Sequence, residues 1–461
     1  MVAIRLCYLI GIAALVQGLQ TTHDALVVQD SDSTHHGSDP FTAEVTLDAL
    51  SDKEFTTLRH PAFPGYGVRV KRTHWCDETV KAYTGYIDIQ ARHIFFSFFE
   101  SRSDPDADDV IFWTNGGPGC SSSAGLLSLD QSWTSNVNIF FIDQPIGTGF
   151  SYADFGETVS TTEDAAKDIA AFVPVFFEHF TKFKGRAFHM AGESYAGRYL
   201  PVYASAVYDQ NARLIQQGLT PINLVSVMIG NGWTDMPSIL LTWPDFQCSR
   251  FPIAPLLDIS TCVKMKRILP RCRQWIQSSC IDHFDDIDCY AAAETCDAAF
   301  GFPHYQTGRN PYDVSKPCEG GIGTLCYPIM QNITRYLNSS HTRDLLGVDP
   351  AVTSFSSSSV EYVPQLLERD IHILIYVGSY DWLAHWIGNE RWTLDIEWSG
   401  KREFNEQPLR DWVVDGKVAG RTRSAKGLTF TTVEGAGHLV PYDKPLESLA
   451  LVQRWLAGRT L

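Results

Sequence analysis

No stretch of this sequence is apolar for long enough to span a bilayer comfortably. The longest run, Leu6 to Val16, falls well short of the about 20 residues that a transmembrane helix needs. Positive charge is also scarce. Lys plus Arg number 37 against 53 Asp plus Glu, a formal charge of -16 that repels phosphate backbones and anionic lipid surfaces, so the balance speaks against nucleic acid as a partner. The 11 cysteines include no Cys-x-x-Cys pair, which leaves a zinc reading without its usual spacing. Internal repeats are missing, and the one low-complexity run is Ser356–Ser359. What is present is ordinary globular material, 44% hydrophobic and 20% charged, which argues against wholesale disorder or a fibrous repeat. The 461 residues leave room for two or three domains, or for one large domain with insertions.

Arg5, the short apolar run after it and the small and polar residues that follow give residues 1–20 the pattern of a secretory signal peptide. From Thr21 the chain is rich in Ser, Thr, Asp and His and reads as a pro-segment up to Lys71-Arg72, a dibasic pair suited to a processing protease. A surface pair in an N-terminal extension is the alternative. The mature chain is expected in the secretory pathway, in a vacuole or outside the cell, without a membrane anchor. Cysteine usage agrees with export, because eight cysteines crowd between Cys248 and Cys326, and that density reads as disulfides in an oxidising lumen. Eight cysteines allow 105 pairings, and spacing alone selects none of them. Two sequons, at Asn332 and Asn338, point to a glycosylated surface loop.

Short β-branched and aromatic runs at 94–100, 109–114, 137–143, 187–191, 224–230, 371–378 and 428–433 read as buried strands. Helical patterns alternate with them. The clearest covers 163–183, capped by Thr161 or Thr162, with Ala166, Ile169, Ala170, Val173 and Phe177 along one face. Alternation of this kind predicts an α/β fold with a largely parallel sheet. It stops between 235 and 357, where cysteines and prolines accumulate. The expected layout is therefore a core of 73–234 and 358–461 interrupted by a cap insertion of 235–357 lying over the site.

The chemistry concentrates in Gly192-Glu193-Ser194-Tyr195-Ala196-Gly197, a Gly-x-Ser-x-Gly between a strand and a helix. This is the context that a nucleophile elbow requires. A serine hydroxyl needs a base, and the base needs an orienting carboxylate, in the chain order Ser, Asp, His. Asp381 follows the strand that ends in Tyr376-Val-Gly378, and His438 follows the next strand on the Gly-rich stretch Glu434-Gly-Ala-Gly437. Three such residues at three strand ends, in the right order, form a candidate catalytic triad.

Longer motifs surround them. Trp113-Thr-Asn115-Gly116-Gly117-Pro118-Gly119-Cys120, Asp143-Gln144-Pro145 with Gly149-Phe-Ser-Tyr152, Gly230-Asn231-Gly232 and Tyr83-Thr-Gly-Tyr-Ile-Asp88 resemble the serine carboxypeptidases, most of all the fungal carboxypeptidase Y type. The likeness runs from about Cys76 to Leu461. It implies an α/β-hydrolase fold, a mixed and mostly parallel sheet with a disulfide-rich cap. It also implies release of C-terminal amino acids from peptides and proteins through an acyl-enzyme at acidic pH, with no metal or other cofactor. By the same resemblance the Gly117 and Tyr195 N–H groups form the oxyanion hole. Asn115, the Gly116 N–H and Glu193 grip the substrate carboxylate, Glu193 as a neutral donor. The implied disulfides are Cys248–Cys262, Cys272–Cys296, Cys280–Cys289 and Cys318–Cys326.

Some positions depart from the family. Leu129 stands where a carboxylate-binding Glu is usual, which predicts a weaker grip unless Asp130 substitutes. Two segments, near 128–132 and 351–365, are shortened, and the second removes the usual partner of Cys120, leaving Cys76 or nothing. Ala384-His385 and Leu439 read as altered pocket lining. The alternatives to a peptidase are a related acyltransferase or esterase, or a protein inactivated by the shortened segments.

Overall fold

The computed structural model describes residues 46–128, 133–154, 157, 159, 161–250, 253–348, 352, 364–367 and 369–461. The expected leader, the pro-segment up to residue 45, the Leu129–Ser132 stretch and nearly all of the second shortened segment lie outside the described residues.

One mixed sheet organises the chain. Its strands are β1 (Thr56–Arg59), β2 (Tyr66–Thr73), β3 (Ala82–Ile89), β4 (Arg92–Phe99), β5 (Val110–Thr114), β6 (Asn138–Ile142), β7 (Tyr152–Ala153), β8 (Ala187–Glu193), β9 (Asn223–Gly230), β10 (His372–Gly378), β11 (Arg410–Val414), β12 (Lys417–Ala425) and β13 (Leu428–Val433). The spatial order is β1-β2-β3-β4-β6-β5-β8-β9-β10-β13-β12-β11, with β7 against β4. The six central strands from β6 to β13 run parallel. Antiparallel ribbons extend both edges. Every residue of β5, β6 and β13 is buried, as expected for strands covered on both faces.

Helices cover those faces. They include α1 (Ser122–Ser128), α2 (Thr162–His179), α3 (Ala196–Gln216), α4 (Met236–Cys248), α5 (Ile259–Ile276), α6 (Asp286–Phe300), α7 (Trp386–Asp395), α8 (Val440–Asp443) and α9 (Pro445–Leu456). The Thr161 hydroxyl caps α2 by accepting from Asp164 N. Its apolar face buries Phe172 and Phe176 against Phe96 and Phe140 of the sheet, ring on ring, with Phe140 and Phe176 edge to face at 4.8 Å. Among the described residues no helix is long and apolar enough to cross a membrane.

Between β9 and β10, in the region expected to form the insertion, the chain carries α4, α5 and α6 around a small core of its own, including Ile239, Trp243, Phe246, Met265, Ile276 and Phe300. Into that core the main body inserts Trp382, stacked on Trp243 at 4.6 Å. All four disulfides form, in the pairing that the resemblance implies. Cys76 and Cys120 are both free, so the candidate bridge between them is not made.

One expectation gains a physical condition and one is corrected. Lys71 and Arg72 sit inside β2, opposite Thr84 and Tyr83 of β3. Lys71 is buried, and Leu47, Leu50, Leu58, Val68 and Val70 belong to the main core. Cleavage after Arg72 therefore has to precede the pairing of β2 or exploit its local opening. Asn332 and Asn338 are exposed, but they sit on a helix, Ile329–Leu337, and at its C-terminal cap rather than in a loop.

Candidate active site

Parallel strands deliver the site residues to one edge of the sheet. Ser194 follows β8 directly and takes a left-handed φ of +61°, held by its N–H on Gly230 O at 2.8 Å and by its own carbonyl accepting from Trp233 N at 2.9 Å. Such strain persists only where the surroundings over-determine it. A Cβ on Gly192 would fall 2.2 Å from Thr114 O, and one on Gly197 would fall 2.5 Å from Thr234 Oγ1, so the turn admits no side chain at either place. Ser194 and Tyr195 remain half-buried, within reach of a substrate.

Asp381 and His438 come from the loops after β10 and β13. His438 Nδ1 lies 2.7 Å from Asp381 Oδ2. An ionised carboxylate only accepts, so the proton of the pair is on Nδ1 and Nε2 is free to accept one. Asn231 adds a further donor, its Nδ2 at 2.7 Å from Asp381 Oδ2, while its Oδ1 accepts from Gly378 N. Leu383 N and Ala384 N also donate to this carboxylate. Burial works against a charged imidazole, but the Asp381 carboxylate outweighs it and the His438 pKa is raised above its ordinary value.

Asn115, Gly116 and Gly117 leave β5 beside the elbow. A Cβ on Gly116 would stand 2.2 Å from Tyr195 N and 2.9 Å from Ser194 Cβ, so this loop backbone passes directly over the nucleophile. Gly117 then turns with φ +118°. Trp113 Nε1 donates to Asn115 Oδ1 at 2.6 Å. An indole N–H can only donate, so the Nδ2 donors of Asn115 face the other way. The Asp143 carboxylate fixes the far end of the loop by accepting from Ser121 Oγ, Ser122 N and Phe150 N. Glu193 is buried, and burial pushes its carboxyl up to about 7, with the nearby His438 opposing and Asp381 adding to the shift.

Helix α1 packs so close that a Cβ on Gly125 would stand 2.1 Å from Asn115 Oδ1 and 2.9 Å from Trp113 Nε1. Gly125→Ala is therefore expected to turn the Asn115 amide away and raise KM for free-acid substrates about tenfold, the worth of one lost hydrogen bond to a charge. Steady-state kinetics on a blocked dipeptide checks this, and an unchanged KM means that Asn115 does not hold the carboxylate.

His385 is not pocket lining. Its Nδ1 accepts from Gly388 N at the start of α7, and its other nitrogen lies 3.2 Å from Ile239 O, so it joins α7 to the insertion. Leu129 and Asp130 lie outside the described residues. Four neighbours of the dyad had no role assigned from sequence: Asn231, Tyr312, Tyr327 and Asp443. Asn231 was visible as Gly230-Asn231-Gly232 after a strand. The other three lie far from Asp381 in the chain or behind the histidine, and no local pattern marks them. Among the described residues no His, Cys, Asp and Glu group could hold a metal ion.

The serine carboxypeptidase family model matches residues 75–458. A carboxypeptidase Y homolog A from Paracoccidioides brasiliensis (strain Pb18) is 38% identical over 477 residues, covering 93% of this chain and 83% of that protein. Carboxypeptidase Y of Candida albicans is 37% identical over 431 residues, covering 86% and 77%. Among solved structures, a prohormone-processing carboxypeptidase from Saccharomyces cerevisiae superposes with a TM-score of 0.67 at 23% identity, over 87% of this chain and 93% of that one. At that identity the likeness speaks for the fold alone.

Proposed function

The chain belongs to the serine carboxypeptidase family, an enzyme of the α/β-hydrolase fold that cleaves peptide bonds, and we propose that Ser194, His438 and Asp381 carry out its reaction. Ser194 Oγ attacks the last peptide carbonyl while His438 Nε2 takes its proton, and Asp381 holds the other nitrogen protonated and steadies the imidazolium. The Gly117 and Tyr195 N–H groups receive the developing oxyanion. His438 then gives its proton to the departing amino acid, and water hydrolyses the acyl-enzyme along the reverse path. Asn115, the Gly116 N–H and a protonated Glu193 hold the terminal carboxylate and place the last bond against Ser194. The observation that supports this reading most is the 2.7 Å His438–Asp381 contact on the same sheet edge as a serine at a left-handed elbow.

Exposed sequons and four disulfides support residence in the secretory route, in a vacuole or outside the cell. The test of activity is incubation with blocked dipeptides ending in a free acid. The C-terminal residue is expected to be released by the parent and not by Ser194→Ala. Release that survives the substitution refutes the triad, and acyl transfer to an added alcohol in preference to water would favour a transferase.

A further inference from the structure

Three consecutive backbone N–H groups of the histidine loop each find an acceptor outside it. Gly437 N donates to Asp443 Oδ2 at 2.9 Å, His438 N to Tyr312 O at 2.7 Å, and Leu439 N to the Tyr327 hydroxyl at 3.2 Å. The Tyr327 hydroxyl donates in turn to Asp443 Oδ2 at 2.9 Å. Lys316 bridges Asp443 Oδ1 at 2.8 Å and Asp313 Oδ2 at 2.7 Å. Tyr312, Asp313, Lys316 and Tyr327 all belong to the insertion, the first three shortly before Cys318 and Tyr327 directly after Cys326, so that the Cys318–Cys326 disulfide ties the two sides together. That stretch grips the aspartate loop as well, since Trp382 N and Leu383 N donate to Pro311 O and Val314 N donates to Tyr380 O. One segment of the cap is thus bonded to both loops of the dyad.

We propose that Asp443 is a positioning residue for His438, and that Lys316 and Tyr327 of the insertion hold its carboxylate in place, so that the cap serves as the mount of the base as well as a cover. A loop with all three N–H groups fixed cannot tilt the imidazole, and misplacement by about 1 Å costs around a hundredfold in rate. Asp443 is 2% exposed at its side chain, where its charge is little screened, whereas Lys316 is about half exposed. The charged and titratable groups facing His438 are Asp381 after β10, Glu193 at the end of β8 and Asp443 of α8, with Tyr312 of the insertion ring to ring at 5.4 Å. Asp443 favours the imidazolium, and Lys316 offsets it.

This inference rests on His438 being the base, and the experiment separates the two. Asp443→Asn keeps the size and removes the charge. On a blocked dipeptide it is expected to lower kcat about ten- to a hundredfold with KM changed less than about twofold, and to move the acidic limb of kcat to lower pH. Lys316→Met leaves Asp443 and Asp313 uncompensated and is expected to move that limb to higher pH. Simple destabilisation cannot move it in opposite directions. If Asp443→Asn is not recovered folded, Lys316→Met decides alone. A limb that stays in place in the variants recovered overturns the proposal, whether or not kcat falls. A parent whose activity does not depend on Ser194 sinks the triad reading instead, and the two failures are therefore distinct.

Discussion

Asp381→Asn is expected to lower kcat by about a hundred- to a thousandfold, less than the roughly ten-thousandfold loss that follows when the amide forces histidine into the wrong tautomer. The difference comes from what surrounds the carboxylate. Oδ2 accepts from His438 Nδ1, Asn231 Nδ2 and Ala384 N, whereas Oδ1 accepts from Leu383 N. An asparagine here can place its oxygen among the three donors and its NH2 against the single one, or the reverse. The first choice turns away only Leu383 N, which keeps Pro311 O as an acceptor, whereas the second leaves the Asn231 and Ala384 donors unsatisfied even when His438 gives up its Nδ1 proton, and each such loss costs about 1–3 kcal/mol when buried. The oxygen therefore stays toward His438, the tautomer is kept, and only the charge that steadies the buried imidazolium is lost. Nitrogen-15 spectra of the imidazole and steady-state kinetics check both halves. A ten-thousandfold loss with the proton moved to Nε2 means that the amide has flipped, and an undiminished kcat removes Asp381 from the mechanism.

Asn231 is central to that argument, and its history shows how much of the site the sequence disclosed. Strand runs and turn glycines singled out Ser194, Asp381 and His438 as candidates, because a parallel sheet presents its strand ends on one edge and the chain order fits a triad. The parallel centre of the sheet was legible for the same reason, from apolar runs alternating with amphipathic helices. The antiparallel edges were harder to see. β2 is a run of Tyr66-Gly-Val-Arg-Val-Lys-Arg-Thr73 that falls largely within the expected pro-segment, and pairing with β1 and β3 makes it a strand. Lys71 and Arg72 read as a processing site, and a dibasic pair carries no mark of the strand it will be paired with. Tyr312, Tyr327 and Asp443 were beyond reach for another reason. Their roles come from hydrogen bonds spanning more than a hundred residues, between an insertion without periodicity and a loop on the main body. Leu129 keeps its expectation of a weaker carboxylate grip, and Leu129→Glu against the parent is the direct comparison.

The other large effect is expected at Glu193, where the acidity of the whole reaction is set. Its carboxyl is buried, and burial raises its pKa from 4.5 to about 7 in the free enzyme. Below that value it is a neutral donor to the substrate carboxylate. Above it, two carboxylates meet in one buried place, and like charges there cannot both be accommodated. For free-acid substrates kcat/KM should therefore fall about tenfold per pH unit above about pH 7, a loss of around a hundredfold by pH 9. Glu193→Gln keeps the shape and a donor that never ionises, so its profile should stay flat across the same range at the cost of a several-fold weaker grip near pH 5. Amidated peptides, which bring no carboxylate, should show no such limb with either protein. Stability gives an independent reading. A carboxyl whose folded pKa is raised contributes stability that is complete below about pH 4.5 and gone once pH has risen through about 7. The glutamine variant has no such loss, and its melting temperature should exceed the parent's above pH 7 while matching it more closely near pH 4. An alkaline limb that persists in Glu193→Gln would show that another group, and not Glu193, supplies the proton that the substrate carboxylate needs.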